Sequence, residues 1–236
     1  MFLTAAVLAF AAAVQMTSGF GFALVAVPLL ALVTGPHTAI LLALLSGTLF
    51  NAWQAVEGRG HRDVSVIARV LGGAVLGLPL GYAVFRHTDP GPLTVLVGLL
   101  VLVAVVILAR GWQFPAVSRS TDVATGLLTG VLTTSTGTNG PPIVTLLQAR
   151  RLPPREFRAT VTLVFLVLNL AAITVFSVTG ALTGEVLLTA LWCVPALIMG
   201  GWVGYRGRTL LPPEGFRRLV LVLLTVAGVT AVLTGL

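Results

Sequence analysis

The stretch Thr133-Thr134-Ser135-Thr136-Gly137-Thr138-Asn139-Gly140-Pro141-Pro142 decides the fold, because it interrupts an apolar run, residues 123–147, that otherwise reads as one helix. Glycine lends a helix no packing, and proline removes an amide donor and blocks the turn before it, so no regular ladder passes through. A second apolar run, residues 3–33, is broken in the same manner at Thr17-Ser18-Gly19-Phe20-Gly21. Backbone groups freed from a ladder cannot face lipid. At membrane depth such chain must be buried in protein or line a watery cavity. The arm after each break is short: residues 22–33 rise only about 18 Å as a helix, at ~1.5 Å per residue, and residues 141–147 rise less. Each run is therefore either a broken span or a re-entrant hairpin.

Composition supplies the membrane. Of 236 residues, 57% are hydrophobic and only 9% charged, against roughly 25% charged in soluble domains; mean hydropathy is +1.04. A surface so poor in charge must largely face lipid. Six further stretches suit the ~20 apolar residues that cross a bilayer core: residues 39–56, 64–85, 93–109, 159–178, 186–203 and 219–236. The opening Met1-Phe2-Leu3-Thr4 lacks the basic start of a secretory signal, so the first apolar run is expected to be retained as structure. Net charge is +7, from fourteen Arg and no Lys, and the Arg residues form short clusters between apolar runs. That pattern orients loops across a membrane and offers no face to nucleic acid. Cys193 is the only cysteine and lies within an apolar run, which excludes an intrachain disulfide and a thiolate metal cluster.

The chain also repeats itself. A shift of 118 residues lays Gly19 on Gly137, Pro36 on Pro154 and Asn51 on Asn169. A shift of 123 further on lays Gly77 on Gly200, Gly81-Tyr82 on Gly204-Tyr205 and Pro90 on Pro213. The order of these matches points to a duplication, with halves at residues 1–111 and 119–236 inside one membrane domain. Equivalent loops carry opposite Arg bias. Residues 35–38 hold none against four in 150–158, residues 86–92 hold one against four in 206–218, and residues 57–63 hold two against none in 179–185. Cytoplasmic loops collect Arg, so equivalent loops are expected on opposite sides, as in an inverted repeat.

Inversion needs an odd number of full crossings per half, which makes each broken run a re-entrant hairpin followed by three spans. Thirteen Arg then share one side, with Arg86 alone on the other. Reading each broken run as a full span gives parallel halves and a split of nine to five. The expected fold is an all-α polytopic protein of the plasma membrane, built from two inverted repeats, with both termini outside.

In such a repeat the two breaks meet near mid-membrane. The short helices beyond them aim their N-termini at the gap, each with about half a unit of positive charge, and such an end is a ready anion site. The candidate substrate-binding residues are Thr17, Ser18, Gly19, Phe20 and Gly21 at the first break, and Ser135, Thr136, Gly137, Thr138, Asn139 and Gly140 at the second, with Thr133 and Thr134 beside them. Hydroxyls and an amide donate to an oxyanion without the full charge that would trap it. The competing explanation is that Ser, Thr and Gly merely let helices approach closely. Asn51 and Asn169 lie at equivalent places in apolar spans and each needs a partner there. They are expected to tie the hairpins to the neighbouring span or to line the cavity; Gln15 is a weaker supporting candidate.

No Asp or Glu lies well inside a span, which argues against a carboxylate proton relay and against a carboxylate cation site. No metal and no cofactor is implied, and no nucleophile–base pair of an enzyme is visible. Arg150, Arg151, Arg155 and Arg158 read as a topology anchor or as a basic vestibule. The expected partners are a small anion and the lipid bilayer; a homodimer is compatible with the pattern. With an inside-negative potential, anion exit gains about 2.3 kcal/mol per charge per 100 mV, so export can run without a coupling ion.

At these same residues the chain resembles the TauE/SafE family of sulfite and sulfonate exporters. One signature is Ser18-Gly19-Phe20-Gly21-Phe22 followed by Val27-Pro28-Leu29-Leu30. The other is Gly137-Thr138-Asn139-Gly140-Pro141-Pro142-Ile143 followed by Pro154-Arg155-Glu156-Phe157-Arg158-Ala159-Thr160. The resemblance implies outward transport of sulfite, sulfoacetate or related sulfonates. Many members carry a run of Gly after the first signature, where this chain has Phe22-Ala23-Leu24, and that departure leaves the exact anion open. A secondary carrier is the leading expectation. An anion channel of the same architecture, a carrier of another small organic anion and a structural subunit are its rivals.

Overall fold

The computed structural model describes residues 1–18, 21–57, 60, 62–111, 117–207 and 213–236. All regular structure among them is helical: α1 (Phe2–Ser18), α2 (Phe22–Thr34), α3 (Pro36–Glu57), α4 (Val64–His87), α5 (Pro90–Arg110), α6 (Arg119–Ser135), α7 (Gly140–Ala149), α8 (Pro154–Val178), α9 (Gly184–Trp192), α10 (Val194–Gly207) and α11 (Pro213–Gly235). Both expected breaks are present, between α1 and α2 and between α6 and α7.

Local chemistry sets several of these ends. Gly21 precedes α2 at φ 99°, a left-handed backbone that a side chain would strain. Pro141 and Pro142 occupy the first turn of α7, where their missing N–H groups have no helical partner to lose. Ser118 and Thr121 close a reciprocal capping box on α6. Asp63 caps α4, accepting from the Val66 amide at 3.0 Å and the Ser65 hydroxyl at 2.8 Å. Partial burial pushes the Asp63 carboxyl up, but these two donors and the Arg150 charge outweigh it and hold it below its ordinary value.

Five helices are long and apolar enough to cross a membrane, and a sixth span forms if α9 and α10 count as one. The six correspond to the six expected spans. The fifth differs in shape, bending by 44° between α9 and α10. Pro195, in the first turn of α10, offers no N–H to the carbonyl of Leu191 and crowds that turn, which accounts for the kink. Large apolar side chains stay exposed along these spans, among them Val75 and Leu80 on α4, Val103 on α5, Trp202 on α10 and Val226 on α11. Their natural solvent is lipid.

Small residues let the spans touch backbone to backbone. A Cβ on Gly77 would overlap the carbonyl oxygen of Leu127, and one on Gly81 would overlap that of Val131, so α4 and α6 run parallel in contact. A Cβ on Gly200 would meet the Ala9 carbonyl and one on Gly204 the Ala13 carbonyl, so α10 and α1 also run parallel. Gly91 faces Gly235 while Gly98 faces Gly228, which makes α5 and α11 antiparallel. Helices α3 and α8 are antiparallel too: Gln54 meets Thr162, and Gly47 meets Asn169.

One carboxylate ties α4 to the α6–α7 segment. Asp122, in the first turn of α6, is fully buried, with Arg69 Nε of α4 at 2.6 Å and Arg150 Nη2, just past α7, at 2.7 Å. The sequence places Asp122 near a helix end but gives no sign of its burial. Arg150 is thus a clamp partner rather than a free loop charge.

Candidate functional site

The two breaks open onto one small cavity of about 30 Å³. That is room for a water or so. From the first half come Gln15 on α1, Gly21 before α2, Phe22, Ala23 and Leu24 in its first turn, and Ala43, Leu44, Gly47 and Asn51 on α3. From the second half come Gly137, Asn139 and Gly140 at the break, with Phe165 and Asn169 on α8. None of these lining residues carries a charge. Each short helix begins at the cavity, α2 with Phe22 and α7 with Gly140. The first amides of a helix have no carbonyl one turn back, so α2 presents those of Phe22, Ala23 and Leu24. Pro141 and Pro142 take two such donors out of α7.

The side-chain amides are arranged in two pairs. Gln15 Nε2 donates to Asn51 Oδ1 at 3.1 Å. Asn139 Nδ2 donates to Thr133 Oγ1 at 3.2 Å and reaches Asn169 Oδ1 at 3.4 Å. Asn51 and Asn169 each join a broken segment to a neighbouring span, through Gln15 and Asn139 respectively, and each lines the cavity. Gln15, a weak candidate on sequence grounds, is central here. It is 3% exposed, and its Oε1 has no hydrogen-bond partner among the described residues.

The hydroxyls divide differently. Thr17 Oγ1 donates to the Ala13 and Gly204 carbonyls, which ties α1 to α10. Thr134 Oγ1 donates to the Leu78 carbonyl at 2.7 Å and ties α6 to α4. Thr136 Oγ1 donates back to the Leu132 carbonyl at 3.2 Å and lies 2.9 Å from Thr138 Oγ1, so these two brace the turn. Ser135 is buried at the end of α6. Gly137 adopts φ 69° and approaches Val27 and Ile40, packing the second break against α2 and α3. Gly19, Phe20 and the Ser18 side chain lie outside the described residues.

Sequence reasoning did not reach Phe22, Leu24, Leu44, Gly47 or Phe165 as cavity walls. A signal existed for two of them: Gly47 and Phe165 each lie four residues, about one helical turn, before Asn51 and Asn169. Away from this cavity, Gly60 and Arg62 border an open depression together with Pro153, Pro154, Arg155 and Glu156. The α3–α4 and α7–α8 loops therefore adjoin. Asp63 N donating to Thr160 Oγ1 at 3.1 Å joins them a second time.

Two interrupted helical segments thus meet over one shared pocket whose mostly apolar lining carries four side-chain amides, inside an apolar bundle. The chain matches the model of the sulfite exporter TauE/SafE family over residues 4–231, nearly its whole length. The chain belongs to the TauE/SafE family. Comparison with curated proteins finds no match, and comparison with solved structures finds none. As a TauE/SafE protein it is a membrane transporter of the class that handles sulfur anions, in a family of transporters rather than enzymes. Both quoted signatures lie within the matched residues.

Proposed function

We propose that this protein is a secondary carrier exporting a small sulfur-containing oxyanion, sulfite, sulfoacetate or a related sulfonate, through a mid-membrane site between the two breaks. The observation that carries the proposal is the shared cavity. Gly21 and Phe22 from one break face Gly137, Asn139 and Gly140 from the other, with Asn51 and Asn169 alongside. Two helix starts converge there without a charged side chain, giving a positive potential strong enough to attract an anion and mild enough to release it.

The inverted arrangement of the halves is part of the proposal, and packing supports it. Contacts at Gly77–Leu127 and Gly200–Ala9 map onto each other under the two sequence shifts, as do Gly81–Val131 and Gly204–Ala13. Equivalent helices α5 and α11 are antiparallel, and so are α3 and α8, as a two-fold axis in the membrane plane requires. Parallel four-span halves would align both pairs and would set the adjoining α3–α4 and α7–α8 loops on opposite faces. A carrier fits better than an open channel because the space between Phe22, Leu24, Leu44 and Phe165 is smaller than a sulfonate. Entry requires these walls to part, as alternating access supplies.

Purified protein in liposomes tests the reading. Sulfite and sulfoacetate efflux should saturate with concentration and depend on this protein alone. Flux of a small cation with none of either anion would overturn it.

A further inference from the structure

We infer that the species carried is the singly charged, hydrogen-bearing form of the oxyanion, hydrogensulfite in the case of sulfite, and that the Gln15–Asn51 pair reads its hydrogen. The inference rests on the anion site proposed above. Gln15 is buried and lines the cavity, its Nε2 spent on Asn51 and its Oε1 unpartnered. Turning both amides over exchanges their roles without changing the sum: the pair always leaves one carbonyl oxygen and one NH2 group unspent. A fully deprotonated oxyanion only accepts hydrogen bonds, so beside it the spare carbonyl would be a buried acceptor facing negative charge. An anion in its hydroxyl form donates to that oxygen and accepts from the amide next to it.

Charge points the same way. The cost of moving an ion out of water grows with the square of its charge, so a dianion costs about four times as much as a monoanion of similar size. Against that the cavity sets only helix ends, each worth about half a positive charge, with the α7 end weakened by Pro141 and Pro142. Their sum meets one negative charge and falls short of two.

The titratable groups on the surrounding elements lie towards helix ends: His37 and Glu57 on α3, Arg69, Arg86 and His87 on α4, Arg119 and Asp122 on α6, Arg150 and Arg151 after α7, Arg155, Glu156 and Arg158 on α8, and Tyr205 and Arg206 on α10. Tyr82 of α4 packs on Phe85 and Phe176. None lines the cavity. A pH dependence of substrate choice therefore belongs to the substrate. Each ion exported in this form carries out one proton with one net negative charge, so no side-chain proton relay is needed.

The test is initial flux into liposomes holding the full chain, at fixed total sulfite, with methanesulfonate as the pH-insensitive reference: a monoanion with no hydrogen to donate, which should therefore move more slowly than hydrogensulfite. From one pH unit above sulfite's second ionisation to one below it, the hydrogensulfite fraction rises about tenfold. Sulfite flux should rise with it while methanesulfonate flux stays level. In Gln15→Met, the ratio of sulfite to methanesulfonate flux should fall about tenfold. Sulfite flux that stays flat or falls on acidification, with methanesulfonate flux intact, overturns this inference and leaves the anion site standing. So does an unchanged flux ratio in Gln15→Met. No flux of either anion at any pH overturns both.

Discussion

At the scale of single residues, the second break separates side chains that brace from side chains that face the cavity. Asn139 does both, through Thr133, Asn169 and its place in the lining. Asn139→Leu should weaken anion binding about tenfold, because it removes the amide that lines the cavity and holds Asn169 and the second break in place around it, while folded yield persists. Flux measured against substrate concentration checks this; unchanged affinity removes Asn139 from the site. Thr136→Val should cost less affinity, because its hydroxyl is engaged with Leu132 and Thr138. Asp63 gives a prediction about stability instead. Its folded carboxyl lies below the ordinary value, so its capping contribution is present at neutral pH and fades as pH falls through the folded value. Asp63→Ala should therefore cost about 1 kcal/mol near neutrality, with the gap to the unaltered protein closing on acidification in thermal melts. Both breaks were legible because Gly and Pro interrupt an apolar helix; the hydroxyl residues beside them do not, since α1 runs on through Thr17 and Ser18 and α6 through Thr133, Thr134 and Ser135. The pairing of Gln15 with Asn51 was not legible, since it joins residues 36 apart and depends on the angle at which α1 meets α3.

At the scale of elements, glycine lines fix how closely helices approach. Gly77→Ala would force a methyl group into the Leu127 carbonyl of α6, whereas Gly72→Ala meets nothing. The first should destabilise by about 2 kcal/mol and the second should be neutral or slightly helpful; melting in detergent separates them, and equal melting points would discount the helix contact. The Asp122 clamp has no counterpart in the first half, where the 118-residue shift places Thr4. Asp122→Ala leaves two partly buried guanidinium groups without a counter-charge and should cost about 3 kcal/mol. Span positions were readable from apolar length alone. The 44° bend was signalled only by Pro195, and a proline within an apolar run does not state its angle, which neighbouring packing sets.

At the scale of the whole molecule, the open choice is between inverted halves and parallel halves, and loop sidedness separates them. On sequence alone Arg bias favours inversion, because equivalent loops of the proposed halves differ in Arg content. The adjoining α3–α4 and α7–α8 loops and the antiparallel pairs α3/α8 and α5/α11 carry the same implication through packing. Replacing the single buried Cys193 with Ala gives a background in which new cysteines report alone. Val64→Cys and Arg155→Cys are exposed positions beside the two adjoining loops, and His87→Cys and Val178→Cys are exposed at the far ends of α4 and α8. If the halves are inverted, a membrane-impermeant maleimide applied outside intact cells labels positions 87 and 178 and spares 64 and 155 until the membrane is opened. Parallel halves split each pair, labelling 64 with 178 and sparing 87 with 155. The outcome also bears on mechanism. Only in the inverted arrangement do both hairpins enter from opposite faces, so that parting either one opens the cavity to a different compartment.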